Sequence, residues 1–192
     1  MGKNFSTNNA NGKRRKADFY ETPYSITRQF LEKEQVEKSV SFFDPACGDG
    51  AILRVLSEMG YTNSGDDLAS GYDFLLSDKI HNYILNNPPY SKAFAFIQKA
   101  KQVTDRFAFL LPLSYLHGKE RYDYVWTDKK FPLRKVYVFT RYPMLGLPLR
   151  KDGKYPTGMM VYAWFLWEKY SKNNFPEIDW IDNDDYVIRS NK

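Results

Sequence analysis

The stretch richest in chemistry is Asn87-Pro88-Pro89-Tyr90, which closes an expected strand over residues 80–86. Two consecutive prolines remove two backbone donors and fix two φ angles. They also push Asn87 towards an extended conformation. What remains is a stiff corner that presents acceptors: the Asn87 side-chain oxygen and the Pro88 carbonyl. Tyr90 adds a flat ring beside them. Two acceptors and a stacking face suit a planar group carrying an NH2, such as the exocyclic amine of adenine. A tight turn that only ends a strand needs neither the Asn nor the Tyr.

A second unusual stretch, residues 44–50, reads Asp-Pro-Ala-Cys-Gly-Asp-Gly. Ile52, Val55, Leu56 and Met59 follow it at helical spacing. Gly48 and Gly50 let the chain turn sharply and approach a ligand without a Cβ in the way. The helix start beyond them offers free N–H groups to an anionic group. The turn lacks the Lys-Ser/Thr ending of a phosphate-binding loop, which argues against ATP or GTP. Asp66 or Asp67, after the next extended stretch, is placed to accept hydrogen bonds from ribose hydroxyls. A solvated turn carboxylate is the alternative for either one.

Ordered elements must hold these motifs. Thr22 followed by Pro23 reads as a helix start: a hydroxyl to cap free N–H groups, then a residue preset for the first turn. That helix is expected to reach about residue 37, with Ile26 and Phe30 on one face. Strands are expected over residues 40–43, 61–65, 80–86, 106–111, 136–139 and 159–167, with a short strand or bend at 72–75. Helices are expected after residue 50, over 93–103 and near 117–126. Alternating strands and helices predict a mainly parallel sheet covered on both faces. The last two strands have no helix between them, which suggests an antiparallel addition at one edge. In open α/β sheets ligands sit beyond the carboxyl ends of strands, at the switch point in strand order. Both motifs follow strand ends, so their loops are expected to line one crevice.

At 192 residues, 43% apolar and 27% charged, the chain has the composition of one folded domain. Its single cysteine, Cys47, excludes an internal disulfide and argues against a cysteine-based zinc site. Cys47 reads as a small packed residue, and the isolated His81 and His117 as structural, so no metal is expected. No apolar run approaches the roughly 18 residues of a membrane span, and no signal-peptide core is visible. A soluble, cytoplasmic protein is expected, with no membrane partner.

The net charge of +5 comes from 28 basic and 23 acidic residues. Residues 1–17 carry Lys3, Lys13, Arg14, Arg15 and Lys16 and no acid, so the remainder is balanced. This Asn-, Ser- and Gly-rich tail is expected to be disordered, and residues 18–192 to form one catalytic domain. A second basic concentration, residues 129–154, includes Arg141, Arg150, Lys151 and Lys154 against one acid, Asp152. Both point to a polyanionic partner, most simply nucleic acid. A merely solvated tail is the alternative for the arm.

With these motifs together, the chain resembles the S-adenosylmethionine-dependent adenine-N6 DNA methyltransferases of the Asn-Pro-Pro-Tyr type, in particular the small phage- and prophage-type members. The resemblance spans roughly residues 18–169. It implies a Rossmann-like methyltransferase fold: a mainly parallel seven-stranded sheet with an antiparallel edge strand and helices on both faces. It implies S-adenosylmethionine as cofactor and DNA as partner. It implies that Asn87, Pro88, Pro89 and Tyr90 form the catalytic corner, with Asn87 also beside the cofactor. The turn with Asp44, Ala46, Gly48 and Gly50 would cradle the methionine part. Asp67 fits the ribose-binding acid, and Asp73 with Phe74 the contact to the cofactor's adenine. Tyr20, Thr22 and Pro23 fit the motif that closes over the methionine end. Residues 162–169 resemble the late edge strand. Without the downstream recognition domain of larger members, a short or relaxed sequence preference is expected.

The reaction so implied is an in-line displacement in which the adenine amine attacks a sulfonium methyl. Protein-glutamine and RNA-adenine methyltransfer fit the same corner, because each offers a planar NH2. A non-catalytic nucleic-acid-binding protein of the anti-restriction kind is the reading from another class. Phosphate contacts are expected from Lys13, Arg14, Arg15 and Lys16 in the arm and from Arg141, Arg150, Lys151 and Lys154 in the loop.

Overall fold

The structure is a computed structural model and describes residues 21–145, 148–158, 160–172 and 175–183. Tyr20 and the basic arm, with Lys13, Arg14, Arg15 and Lys16, lie outside the described residues.

The body is built on one sheet. Strands β1 (Phe42–Asp44) and β2 (Asn63–Gly65) run parallel, and β3 (Tyr83–Asn86) pairs parallel with β1 on its other side. β4 (Arg106–Pro112) continues parallel to β3. β6 (Tyr162–Glu168) runs antiparallel to β4 and to β5 (Leu133–Phe139), and β7 (Glu177–Ile181) lies parallel to β5. The order across the seven strands is β2-β1-β3-β4-β6-β5-β7. Every strand but β6 therefore points the same way.

Side-chain alternation divides the core into two layers. Ala108 and Leu110 of β4, with Trp164 and Leu166 of β6, face helices α1 (Tyr24–Glu34) and α2 (Ala51–Glu58). Phe107, Phe109 and Leu111, with Phe165 and Trp167, face helix α3 (Ala93–Val103) and the π-helical turn Tyr122–Trp126 that follows the short helix α4 (Lys119–Arg121). Ile26 and Phe30 are fully buried on the inner face of α1, and Trp164 donates its indole N–H to the Ile26 carbonyl at 3.0 Å. The far end of α1 is pinned by Glu34, whose carboxylate accepts from Arg106, Arg134 and the Tyr137 hydroxyl. Burial and that carboxylate push the Tyr137 phenol well above its ordinary range. This anchorage fixes the helix so that its opposite end carries Thr22 and Pro23 to the carboxyl ends of the parallel strands.

Three expectations are corrected. The antiparallel strand is not at the edge. β6 lies between β4 and β5, and its Ala163 to Trp167 run is completely buried, which suits a strand flanked on both sides. The edge belongs to β7, whose alternating Glu177, Ile178, Asp179 and Trp180 gave no continuous apolar run to detect. Residues 72–75 contribute no strand. The Asp73 carboxylate accepts from the Leu75 N–H at 3.0 Å and caps a 3-10 turn, Phe74–Leu76, in its place. Finally, α1 ends earlier than expected, at Gln35, which adopts a left-handed conformation. Among the described residues no helix is long and apolar enough to cross a membrane.

Candidate active site

β1 and β3 are neighbours, so the loops leaving their carboxyl ends face each other across the switch point. From β1 the chain enters the glycine turn. Gly48 and Gly50 have φ of 50° and 77°, in the left-handed region that Cβ-bearing residues avoid. The turn is laced to the loop after β2. Asp66 donates its N–H to the Asp44 carbonyl at 3.1 Å, and Cys47 donates to the Asp66 carbonyl at 3.0 Å. The Asp67 carboxylate accepts from Gly48 N–H at 3.1 Å through one oxygen and from Ala69 N–H at 2.9 Å through the other. Each oxygen keeps a lone pair for a further donor. Arg54 ties the turn to α1, donating to the Asp49 carbonyl at 2.7 Å and the Tyr24 hydroxyl at 2.8 Å.

A cleft of about 510 Å³ opens over these loops, within the range of small-molecule sites. Its lining joins Thr22, Asp44, Ala46, Asp67, Asp73, Phe74 and Asn87, seven of the residues singled out from the sequence. Ile52, Leu68 and Phe96 add apolar surface. Pro23, Gly48, Gly50, Pro88 and Tyr90 belong to the same loops but do not line the cleft. Pro89 lines the cleft itself.

Asn87 is half-buried, and its Nδ2 donates to the Thr22 hydroxyl at 3.0 Å. Thr22 thus does not cap α1, as the sequence suggested. Pro23 occupies the cap position and no side chain bonds there. The Asn87 Oδ1 is shielded from solvent. Tyr90 continues as an aromatic row: its ring lies 5.9 Å from Tyr162, which lies 4.3 Å from the half-buried Tyr142. The row leads from the corner to the loop between β5 and β6. That loop folds back on itself, with Pro143 bridging Thr157 and a tight turn closed by Arg150 N–H to the Lys154 carbonyl at 2.8 Å. β5 ends and β6 begins at the cleft side of the sheet, so this basic hairpin rises on that side. Arg150 pairs with Asp152 at 3.2 Å, and Lys151 is exposed at the tip.

One buried pair escaped sequence reasoning. Asn86, the last residue of β3, is fully buried and donates from Nδ2 to Asp44 Oδ1 at 2.6 Å. It bridges the two loops beneath the cleft. The available signal was an Asn ending an otherwise apolar strand. Burial pushes the Asp44 carboxyl up to about 7, against the opposing hydrogen bonds from Asn86 and the Ala46 N–H. Burial and the neighbouring Asp44 and Asp67 push the Cys47 thiol up to about 11, so it stays protonated and is no nucleophile. His81 stacks on Phe43 with centroids 3.8 Å apart. Among the described residues no cluster of His, Cys, Asp or Glu gathers to hold a metal.

The strand order, the reversed β6 and a glycine turn at the end of β1 define the Rossmann-like methyltransferase fold. Solved structures share it. A protein assigned as a class I S-adenosylmethionine-dependent methyltransferase from Listeria monocytogenes superposes with TM-score 0.59 at 16% identity, over 88% of this chain and 67% of its own. A protein assigned as the modification subunit of a type I restriction enzyme from Vibrio vulnificus gives 0.58 at 16%, over 85% and 46%. One assigned as an RNA methyltransferase from Pyrococcus horikoshii gives 0.57 at 12%, over 83% and 92%. The chain thus spans about half the length of the type I modification subunits it matches. No family model and no curated protein matches the chain.

Proposed function

We propose that this protein transfers a methyl group from S-adenosylmethionine to the exocyclic N6 amine of adenine in DNA. One observation carries the reading: the glycine turn with its acids and the Asn87 corner border the same cleft. A cofactor pocket and an amine-binding corner on separate surfaces could not cooperate.

The residues present fit S-adenosylmethionine. Asp67 has acceptor capacity for the ribose hydroxyls, and Phe74, Leu68 and Phe96 offer apolar walls for an adenine ring. Asp44 is a buried carboxyl at the turn where the methionine part would lie, and an ammonium beside it would hold it ionised. When bound, S-adenosylmethionine supplies a methyl group made electrophilic by the sulfonium. The protein's own residues then do the rest. Asn87 Oδ1 and the Pro88 carbonyl accept the two N–H groups of the target amine. Those bonds favour the pyramidal, nucleophilic form and strengthen as positive charge grows on nitrogen. Holding the amine in line contributes several kcal/mol, up to about 7–11 for ideal orientation. No strong base is needed, because a methylated ammonium is acidic.

An adenine inside a duplex must flip out to reach such a corner. Stacking on Tyr90 offsets part of the cost, at about 1–3 kcal/mol per base. The basic hairpin with Arg141, Arg150, Lys151 and Lys154 is suited to contact phosphates, together with the N-terminal arm.

Labelled methyl transfer to duplex DNA, single-stranded DNA, RNA and protein tests the proposal. N6-methyladenine in DNA is expected, and the Asn87→Ala variant is expected to bind cofactor but lose nearly all turnover. Label in RNA or on glutamine would redirect the substrate; comparable turnover by the variant would remove Asn87 from the chemistry.

A further inference from the structure

The cleft is lopsided in charge. Among the described residues its lining holds five carboxyls, Glu21, Asp44, Asp49, Asp67 and Asp73, and one cation, Lys92. Topology explains the division. Asp44 and Asp49 leave β1, and Asp67 and Asp73 follow β2; Lys92 follows β3, and the basic hairpin joins β5 to β6. In the order β2-β1-β3-β4-β6-β5-β7 the acids therefore cover one end of the rim and the cations the other, with Asn87 at the boundary. A polyanion laid across this rim is repelled over β1 and β2 and attracted from β3 onwards.

We propose that Lys92 binds a phosphate flanking the extrahelical target nucleotide, the anionic group nearest the reacting amine. The proposal rests on the methyl-transfer reading above. Lys92 is fixed in backbone and uncommitted in side chain. It ends the 3-10 turn Tyr90–Lys92, its N–H donates to the Pro89 carbonyl at 2.8 Å, and α3 starts at the next residue. The residue is exposed, and among the described residues no carboxylate pairs with its ammonium. The lysines further along α3 are occupied: Lys99 pairs with Asp78 at 3.2 Å and Lys101 with Asp128 at 2.8 Å. Lys92 thus offers its charge where a strand reaching Asn87 needs a phosphate neutralised, in a recess where less water screens the pair than on open surface. It also discriminates between acceptors. A nucleotide brings a phosphate with its amine, whereas a glutamine side chain brings the same planar NH2 with no such charge.

A binding cycle on the full chain tests this. The probe is a short single-stranded DNA with one adenine, made with ordinary phosphodiesters or with uncharged methylphosphonates at the two linkages flanking that adenine. Wild type is expected to bind the uncharged probe about tenfold more weakly in fluorescence anisotropy, Lys92→Gln to lose less than about threefold between the two probes, and Lys92→Arg to behave as wild type. The slope of log affinity against log salt for the ordinary probe is expected to fall by about 0.7 in Lys92→Gln. S-adenosylmethionine affinity, read by calorimetry, is expected to change less than about threefold. Equal losses on the uncharged probe by wild type and Lys92→Gln, or an unchanged salt slope, would overturn the proposal. A tenfold loss of S-adenosylmethionine affinity in Lys92→Gln would overturn it as well, and assign the ammonium to the cofactor's carboxylate. The cycle reads binding without turnover, so a wild type that forms no N6-methyladenine would sink the proposed function and leave the role of Lys92 decided separately.

Discussion

Replacing Asp44 with Asn is expected to stabilise the protein while weakening its hold on cofactor, with both effects growing as pH rises. Asp44 is 1% exposed, and burial raises its carboxyl from an ordinary 3.8 to about 7. In the unfolded chain the same group ionises near its ordinary value. The raised folded value means that its contribution to stability is fully present below pH 3.8 and is lost as pH climbs through 7. Each tenfold change in an ionisation constant is worth about 1.4 kcal/mol, so the rise from 3.8 to about 7 costs about 4 kcal/mol once the folded carboxyl is ionised. The amide of the variant does not titrate, yet its oxygen can still accept from Asn86 Nδ2 and the Ala46 N–H. The stability advantage of Asp44→Asn over wild type is therefore expected to widen by about 3 kcal/mol from pH 5 to pH 8 and then level off. Urea unfolding followed by tryptophan fluorescence at several pH values reads it, provided the denaturant dependence is shared. In the proposed reading the cofactor's ammonium sits beside the ionised carboxylate. Wild-type affinity for S-adenosylmethionine is thus expected to drop by up to about tenfold for each pH step of one below 7, and the variant's to stay flat. A stability difference independent of pH would refute the claim that Asp44 is a buried, strained acid.

Other outcomes follow from particular contacts. Gly65→Ala would set a Cβ 2.9 Å from the Asp44 carbonyl oxygen and 2.7 Å from Leu53 Cδ1. Backbone cannot yield cheaply, so a loss of about 1–3 kcal/mol in chemical denaturation is expected, with weaker cofactor binding because Asp66 and Asp67 shift. Neutralising Lys151 and Lys154 is expected to lower the slope of log affinity against log salt by about 0.9 for each duplex phosphate that is no longer neutralised, read by fluorescence anisotropy. An unchanged slope would move the DNA path away from the hairpin. Tyr90→Ala is expected to cost about 1–3 kcal/mol in holding an extrahelical base, read as weaker binding of target duplex DNA in fluorescence anisotropy.

Much of the architecture was readable from the chain. The strongly apolar stretch of residues 106–111 reads as a buried strand and the helical spacing of Ala93, Phe96, Ile97, Ala100 and Val103 as a helix, and those elements form as expected. The weak points were elements whose residues carry no clear period. β7 mixes acids with Ile178 and Trp180 because one of its faces meets Lys33 and Lys135 and the other is largely open. The 3-10 turn at Phe74 replaces a strand because Asp73 offers the backbone a local bond that no neighbouring strand competes for. Thr22 was misassigned for a related reason. Ser and Thr before a proline read as caps, and only a partner 65 residues away reveals another use for the hydroxyl.

Local sequence determined the parts that depend on covalent stiffness and hand of backbone: a double-proline corner at Asn87, left-handed turns at Gly48 and Gly50, and the acids spaced to follow strand ends. The chemistry each can do is a property of those few residues. Tertiary structure alone decided which of them meet. Parallel pairing of β1 with β3 brings the two loops to one cleft, burial beside Asn86 raises Asp44, and the anchored α1 delivers Thr22 to the Asn87 amide. Each of these depends on contacts far apart in the chain, and a desolvated carboxyl or a hydrogen-bonded amide has no local signature, because both are set by the neighbours that exclude water and supply hydrogen bonds.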